Sequence, residues 1–456
     1  MFAAAGLLTL VLVDLLRPQE YFPALQGVPL LHLATGLSLF GLVLDLRLGL
    51  SRLRASPHLV LVLLFAGWCL VTVIAREREQ FFLRASILVI PIAIYALVAH
   101  GTQTFRMLQT FCAVLLAIAL ALAAIGVHQG LADPGCHRLA MRGGYVVYLH
   151  DGRPCDSEER NACEGEGAEP GYDYACERVG LMGTQTDHGR VRYRGTLQDP
   201  NELALAVGIA LPLAFAFLDR RRSLPRLLLA WLATAAIGLC ITFTQSRGGQ
   251  LVFVAVLAVY FVNRYGARRG FLVGMLLALP LIYYGGRSGA EGAASTMERI
   301  ECWWVGLHLL VGSPAFGVGY GQFTEYHHLT AHNSFVQVGA ELGLPGLLLW
   351  SSIVYLALKI CHKALRAKLE PVGRTWALAL LASTIGLVVG SFFLSYAYKD
   401  VFWLYIGLTG ALYASIRRHD PSFEVRFGVR DLALVALGDA VLLTALVGYT
   451  GSKMGW

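Results

Sequence analysis

Apolar runs long enough to cross a lipid bilayer recur along the whole chain, and this pattern constrains the fold more than any other feature. A membrane-spanning helix needs about 20 predominantly apolar residues. Only 15% of the residues are charged, against about 25% in soluble proteins. The sequence therefore predicts an all-α polytopic membrane protein.

Twelve segments are predicted to cross the membrane, and a thirteenth, 431–449, could cross it or lie along its surface because it carries Asp431 and Asp439. Residues 1–16 are interpreted as the first span rather than as a signal peptide, since they lack a basic amino-terminal region and contain Asp14. The twelve predicted spans are about 1–16, 28–46, 58–75, 81–99, 106–127, 200–218, 227–244, 249–263, 270–284, 334–358, 375–395 and 401–416.

The Lys and Arg residues of the short loops are unevenly distributed between the two sides of the membrane. One alternating set of loops contains 20 of them and the other set contains 5. Because basic loops remain in the cytoplasm, the two long segments 128–199 and 285–333 are predicted to lie outside it, which is the periplasm if the cell is a Gram-negative bacterium. The net charge of +7 reflects these loops, and we expect no nucleic-acid partner.

The predicted organisation has five parts, which alternate between membrane helices and outer loops. These are 1–127 with helices one to five, 128–199 as a cysteine-containing periplasmic loop, 200–284 with helices six to nine, 285–333 as a large periplasmic loop, and 334–456 with the carboxy-terminal helices.

Four of the nine cysteines lie in the outer segment 128–199, which is rich in Gly, Asp and Glu. Thiols oxidise outside the cytoplasm, so we expect two disulfides, and the three possible pairings remain open. A metal site is the alternative, although the spacings lack the close pairs that zinc sites favour. The four residues are Cys136, Cys155, Cys163 and Cys176.

Two short motifs place arginines at outer ends of the predicted spans. Arg192 and Arg194 precede the sequence Asp-Pro-Asn-Glu at 199–202, a predicted helix start in which the Asp is the N-cap and the Glu closes a capping box. The sequence Thr-Gln-Ser-Arg-Gly-Gly at 244–249 is a predicted tight turn between two spans. A charge at the interface, such as Arg247, either snorkels to water or finds a partner. We interpret Arg247 as lining the rim of an anion-binding cavity.

The stretch 285–346 is the longest polar interruption in the second half of the chain. It contains Arg299 ahead of a tryptophan pair, then a glycine-rich turn, then His332 and Asn333. His328 precedes His332 by four residues, a spacing that could chelate zinc on a helix. The next helix is predicted to begin near Asn333, which leaves His328 in the loop, so we predict no metal and no cofactor.

Arg247, Arg299 and His332 together have the chemistry of a phosphate clamp with a base. An arginine presents a planar fork of donors that matches phosphate oxygens, and two arginines can stabilise a departing diphosphate. A histidine titrates near neutrality and can accept the proton of an attacking hydroxyl. At a membrane surface, the corresponding substrate is a diphosphate-linked group on a lipid.

Three pieces of the sequence resemble the bacterial O-antigen ligase and O-antigen polymerase family of integral membrane glycosyltransferases. They are RGTLQDPNELA at 194–204, TQSRGG at 244–249, and the loop from Met297 to Gly346 with ERIECWW, FGVGYGQF and AHNSFVQVGAELGLPG. The cysteine-bearing insertion at 131–190 departs from the family's core pattern and leaves the identity of the acceptor open.

The resemblance implies a fold of the GT-C type with about twelve or thirteen membrane helices, and a metal-independent transfer of glycan from undecaprenyl diphosphate in the bacterial inner membrane. Arg247 and Arg299 would hold the diphosphate and His332 would be the base. Arg194, Arg192 and Asn333 are expected to bind substrate. Glu341 is also placed among the substrate-binding residues, where it either orients the helix entrance or the histidine, or is a buried structural carboxylate.

The acceptor and the exact reaction remain open at this stage. A ligase would use lipid A-core, a polymerase would use a growing polysaccharide, and a relative could glycosylate protein; we favour the ligase. A transporter of lipid-linked sugars is the alternative from another class, and it would need charged groups within spans and internal pseudo-symmetry.

Overall fold

The computed structural model describes residues 2–51, 56–142, 145–155, 163–164, 167–220, 222–284 and 289–454. The predicted outer loops 128–199 and 285–333 each include residues outside this set. The helices are α1 Phe2–Leu16, α2 Leu30–Arg47, α3 Leu59–Arg76, α4 Phe81–Gly101, α5 Phe105–Leu131, α6 Pro200–Gly208, α7 Leu211–Arg220, α8 Leu224–Thr244, α9 Arg247–Tyr265, α10 Ala267–Tyr284, α11 Gly289–Gly312, α12 Ser334–Arg366, α13 Pro371–Ser391, α14 Asp400–His419 and α15 Val429–Met454. The strands are β1 Pro134–Arg142, β2 Tyr145–Pro154 and β3 Tyr174–Arg178.

The helices confirm the prediction of an all-α polytopic membrane protein. Within the described ranges, 10 helical segments are long and apolar enough to cross a membrane, and α6 with α7 forms one of them. The 15-residue α1 is apolar but shorter. α10 and α14 coincide with the predicted spans 270–284 and 401–416, although they are not among the 10.

The last helix, α15, runs antiparallel to α12 along most of its length. Near its start, Asp431 forms an ion pair of 2.6 Å with Lys359. Two turns later, Asp439 accepts a 2.8 Å hydrogen bond from Ser351. Near its end, Leu446 packs in a cluster with Ala340. The pairing of both acids with α12 explains how α15 accommodates them, and the arrangement favours a crossing over a surface position.

Half of the predicted outer loop 285–333 is helical. The 24-residue α11, Gly289–Gly312, was not predicted, because its first half is rich in Gly, Ser and charged residues and lacks an apolar period. Its second half carries Cys302, Trp303 and Leu307, which pack against residues of α12 and α15. Tertiary burial of this apolar half stabilises the helix, because packing supplies most of the stability of helices in proteins.

A glycine-rich loop between α11 and α12 is bound tightly to the first half of α12. The N–H of Val318 donates to the carbonyl of Ala340, and the N–H of Gly319 donates to that of Glu341, both at 2.9 Å. Gly317 has a φ of +61°, and a Cβ there would lie 2.3 Å from the carbonyl carbon of Glu341. Only glycine satisfies both the conformation and the close approach.

The helix α12 is broken at Gly343, just after the residues that the loop contacts, and φ at Gly343 is +69°. Pro345 cannot donate a backbone hydrogen bond, so carbonyl groups of the preceding turn need other partners. The indole N–H of Trp68 donates to the carbonyl of Leu342 at 2.9 Å. The N–H of Leu344 donates to Pro314 at 2.8 Å. The backbone groups of Leu342 and Leu344 at the break therefore bond to partners in α3 and in the loop after α11.

The cysteine-containing segment forms a small antiparallel sheet in the order β2-β1-β3. Disulfides join Cys136 to Cys163 and Cys155 to Cys176, which confirms the expectation of two disulfides and chooses among the three pairings. The guanidinium of Arg178 donates to the carbonyl of Ala132 at 2.9 Å, just beyond the end of α5. The sheet is thus attached to the helical bundle at its base.

Candidate active site

Arg247 is the first residue of α9 and follows a turn of two residues after α8, as predicted. Gln245 adopts a left-handed φ of 52° that reverses the chain. The hydroxyl of Ser246 accepts a hydrogen bond from the N–H of Gly249 at 3.0 Å and so caps α9. This cap fixes the backbone at Arg247, whose side chain is exposed.

Arg299 lies near the middle of α11 and lines a narrow crevice. One wall of the crevice is the start of α9, with Gly248 and Gly249 directly after Arg247. The structure therefore brings Arg299 to the helix end that carries Arg247, although the two residues are 52 positions apart. The remaining lining residues are Asn201, Leu205, Val252, Gly390, Phe393 and Leu394.

His332 is held at the entrance of α12 in a left-handed conformation with a φ of 48°. Its N–H donates to the hydroxyl of Ser395 at 3.0 Å. Two residues later, the hydroxyl of Ser334 donates to the carbonyl of Leu394 at 2.8 Å, and Leu394 lines the crevice. These bonds attach the segment that bears His332 to the crevice wall.

The environment of His332 lowers the pKa of its imidazole below the ordinary value of 6.5. Burial is the largest cause, and the positive charge of Arg299 acts in the same direction, whereas Asp199 and Glu298 oppose it. Both causes disfavour the imidazolium. At neutral pH the imidazole is thus predominantly neutral and able to accept a proton.

Asn333 and Glu341 have structural contacts of their own. The side-chain oxygen of Asn333 accepts hydrogen bonds from the N–H groups of Phe335 and Val336 at 2.9 and 3.2 Å, and so caps α12 at the predicted position. Glu341 is 1% exposed, and its carboxylate accepts a hydrogen bond from the N–H of Phe323 at 3.1 Å. Of the two expectations for Glu341, these contacts favour the buried structural carboxylate that anchors the glycine-rich loop.

Arg194 is bound to backbone groups of two other segments. Its guanidinium donates to the carbonyl oxygens of Glu20, Met182 and Gly183 at 2.8–3.0 Å. It also stacks 4.7 Å above the ring of Tyr21. These contacts engage both terminal nitrogens of the guanidinium and join the loop after α1 to the segment after β3. The described lining of the crevice does not include Arg194.

Arg192 is likewise engaged within its own segment. It donates to the carbonyl of Gln185 at 3.2 Å and lies 3.8 Å from the carboxylate of Asp187. Its N–H donates to the side chain of Gln129 at 2.9 Å. The geometry therefore gives Arg192 a role in ordering residues 185–192.

The comparisons with known proteins address the segment that contains most of these residues. The model of the O-Antigen ligase family matches residues 232–351. Residues 232–351 are thus similar to the O-antigen ligase family. The match confirms the resemblance predicted from the sequence, and it supports a function of the ligase or polymerase type. No curated protein matches the chain significantly.

The O-antigen ligase match includes Arg247, Arg299 and His332, the three residues that the geometry brings to one region. It also includes Asn333 and Glu341, which order the start of α12. Arg192 and Arg194 precede the matched residues. The residues near the crevice thus lie within the matched segment, and the two arginines bound elsewhere lie outside it.

Sequence reasoning missed the roles of Arg190 and Asn201. Arg190 is 9% exposed and donates to Thr244 and to Asn201, on whose side-chain oxygen Ser246 also donates. The alternation of Arg190, Arg192 and Arg194 gave no local signal for which one is buried. Burial of Arg190 results from a turn just before it that directs it towards α8.

The helix start at 199–202 is partly as predicted. Asp199 is the N-cap of α6 and accepts a hydrogen bond from the N–H of Asn201 at 2.8 Å. Glu202, expected to close a capping box, instead forms an ion pair of 3.0 Å with Lys399 at the start of α14. The partner of this carboxylate lies 197 positions away along the chain, so the local sequence could not predict it.

The metal alternatives find little support in the geometry. Within the described part of the chain, the cysteine, histidine and carboxylate groups close enough to share an ion are Cys136, Cys155 and Cys163, and all three are in disulfides. His328 lies outside α12, as predicted. Its neighbour His327 is 3.6 Å from the thiol of Cys302 and accepts a hydrogen bond from the N–H of Leu329.

Proposed function

We propose that this chain is an O-antigen ligase-like glycosyltransferase that moves a glycan from undecaprenyl diphosphate to a hydroxyl of lipid A-core. The reaction takes place on the periplasmic face of the bacterial inner membrane and requires no metal. The observation that carries the proposal is the convergence of Arg299 with the start of α9, in a crevice bordered by the segment that holds His332. That convergence lies within the residues that match the O-antigen ligase family.

Each of the three side chains has a separate role in the proposed reaction. The imidazole of His332 takes the proton from the acceptor hydroxyl as its oxygen attacks the anomeric carbon. The bond between that carbon and the diphosphate oxygen breaks, and both electrons leave with the diphosphate. Arg247 and Arg299 stabilise the negative charge that develops there, as preorganised donors do in other transferases.

The charge and location of the crevice support a diphosphate as the group bound there. Arg299 is the charged residue among those that line it, and a guanidinium matches phosphate oxygens. The glycan and the lipid then lie outside the crevice, towards the outer segments and the bilayer. Arg192 and Arg194, if they contact substrate, do so through the glycan or the acceptor.

The proposal is tested with purified protein, undecaprenyl-diphosphate glycan and separate candidate acceptors. We expect transfer to lipid A-core that persists in the presence of a metal chelator. Transfer only to a second donor-linked glycan would identify a polymerase instead. The transporter would be favoured by two results together. No acceptor would receive glycan, and vesicles without the protein would retain the lipid-linked donor on their cytoplasmic side.

A further inference from the structure

The segment before α6 caps the end of α8 from outside that helix. The last carbonyl groups of a helix have no partners within it. Here the guanidinium Nε of Arg190 donates to the carbonyl of Thr244 at 3.0 Å, and the N–H of Val191 donates to that of Phe243 at 3.1 Å. A cation at a helix carboxyl end is also favoured by the helix dipole. Arg190 therefore stabilises the turn that leads to Arg247.

The same guanidinium reaches the next helix through a side-chain network. Arg190 Nη2 lies 3.3 Å from the Oδ1 atom of Asn201, and the hydroxyl of Ser246 donates to that oxygen at 2.7 Å. Ser246 in turn caps α9 by accepting from Gly249. The network joins the end of α8, the start of α6 and the start of α9, and Asn201 itself lines the crevice.

Arg190 is held in place by the disulfide-bonded sheet. It closes a tight turn with Asp187 in which His188 and Gly189 have φ values of 50° and 70°, the conformation of a type I′ turn. The carboxylate of Glu177, in β3, accepts hydrogen bonds from the N–H groups of His188 and Gly189 at 2.9 and 3.4 Å. Glu177 directly follows Cys176, which is bonded to Cys155.

From these contacts we propose that Arg190 is a positioning residue for the diphosphate site, and that the disulfide-bonded sheet is the support that orients it. The inference rests on the proposed function, since it concerns the turn that presents Arg247. Arg190 touches no reacting atom in this scheme. It fixes the backbone of residues 244–249, and with it the position of Arg247 next to the crevice wall formed by Gly248 and Gly249.

The physical consequence of removing Arg190 is local loosening. Thr244 would lose a charged donor at a buried carbonyl, and Asn201 would lose one of two donors to its oxygen. Buried acceptors without partners are costly, so the turn would sample other conformations to reach water. A displacement of about 1 Å at a catalytic group can reduce a rate about 100-fold.

The test combines hydrogen–deuterium exchange with steady-state kinetics on the full-length protein in detergent. For Arg190→Ala we expect faster exchange in peptides covering 241–250, unchanged exchange in α13 and α14, and a kcat about 100-fold lower with little change in KM. Arg190→Lys should be intermediate, because an ammonium retains charge but cannot span both acceptors. The matched control is Arg138→Ala, which removes an arginine of the same sheet that contacts Glu169 and Tyr172.

A second experiment tests whether the disulfide-bonded sheet orients Arg190. Replacement of Cys155 and Cys176 together by Ser should increase exchange at 186–190 and at 241–250. Unchanged exchange at 241–250 in Arg190→Ala would overturn the inference, whether or not activity falls. Unchanged exchange in the cysteine variant would show that the disulfide-bonded sheet does not orient Arg190. An inactive wild-type protein would instead count against the proposed function, because the exchange measurements do not depend on substrate.

Discussion

Burial lowers the pKa of His332 at the entrance of α12, and Arg299 on α11 lowers it further by placing a positive charge close to the imidazole. The effect joins two of the residues proposed to act in transfer, and it makes the base and one phosphate-binding group electrostatically dependent on each other. A bound diphosphate would neutralise part of the arginine charge and so raise the basicity of the histidine when substrate is present.

The pH dependence of activity should report this coupling. Since His332 must be neutral to accept a proton, kcat/KM should rise with pH through an apparent pKa below the ordinary 6.5 and then level off. Glu298 raises the pKa of His332, so Glu298→Gln should move the acidic limb to lower pH. A limb that moves upward in this variant would contradict the assignment of His332 as the titrating base.

Replacing His332 should remove catalysis without removing the protein from the membrane. We expect His332→Ala to lower kcat by about 10²–10⁴-fold, the usual contribution of a general base. His328→Ala is the matched control, because His328 is exposed in the same loop outside α12. The measurement is glycan transfer per quantity of membrane protein, and equal losses in both variants would be evidence against a specific base.

Arg247→Ala and Arg299→Ala should each lower kcat by about 10²–10³-fold, since each removes a donor from the developing charge. Arg426→Ala serves as the control, because this arginine is exposed and pairs with Glu424 on the opposite end of the bundle from α12's entrance. The assay is transfer by purified protein at saturating donor. Full activity of either crevice variant would exclude the two-arginine clamp.

Gly317→Ala should destabilise the loop between α11 and α12. The substitution combines a strained φ of +61° with contacts of 2.3–2.5 Å to Glu341 and Ala340, and strain of this backbone kind alone costs about 1–3 kcal/mol. Thermal unfolding in detergent would measure the loss. Two controls separate the causes: Gly27 has a φ of +81° with nothing within 4 Å, and Gly438 has neither strain nor contact. Equal unfolding temperatures for the Gly317 and Gly27 variants would show that close packing has no part in the effect.

Local patterns determined the features whose causes lie within a few residues of sequence. The apolar runs predicted the helices, since length and composition alone make a helix suitable for the bilayer. Asn333 and Asp199 marked helix starts because a cap acts on N–H groups two or three residues away. The position of the turn at 244–249 followed from its local sequence, although Gln245, with a φ of 52°, reverses the chain in place of a glycine.

Tertiary structure decided the features that depend on partners far along the chain. Three alternating arginines are equivalent by sequence, yet Arg190 is buried against Thr244 while Arg194 is bound by Glu20 and its neighbours. Glu202 pairs with Lys399 and not with the N–H groups of its own helix, and α11 is stabilised because its apolar half packs against α12 and α15. Contacts of this kind release free energy only when distant segments are already assembled, so no window of sequence contains their cause.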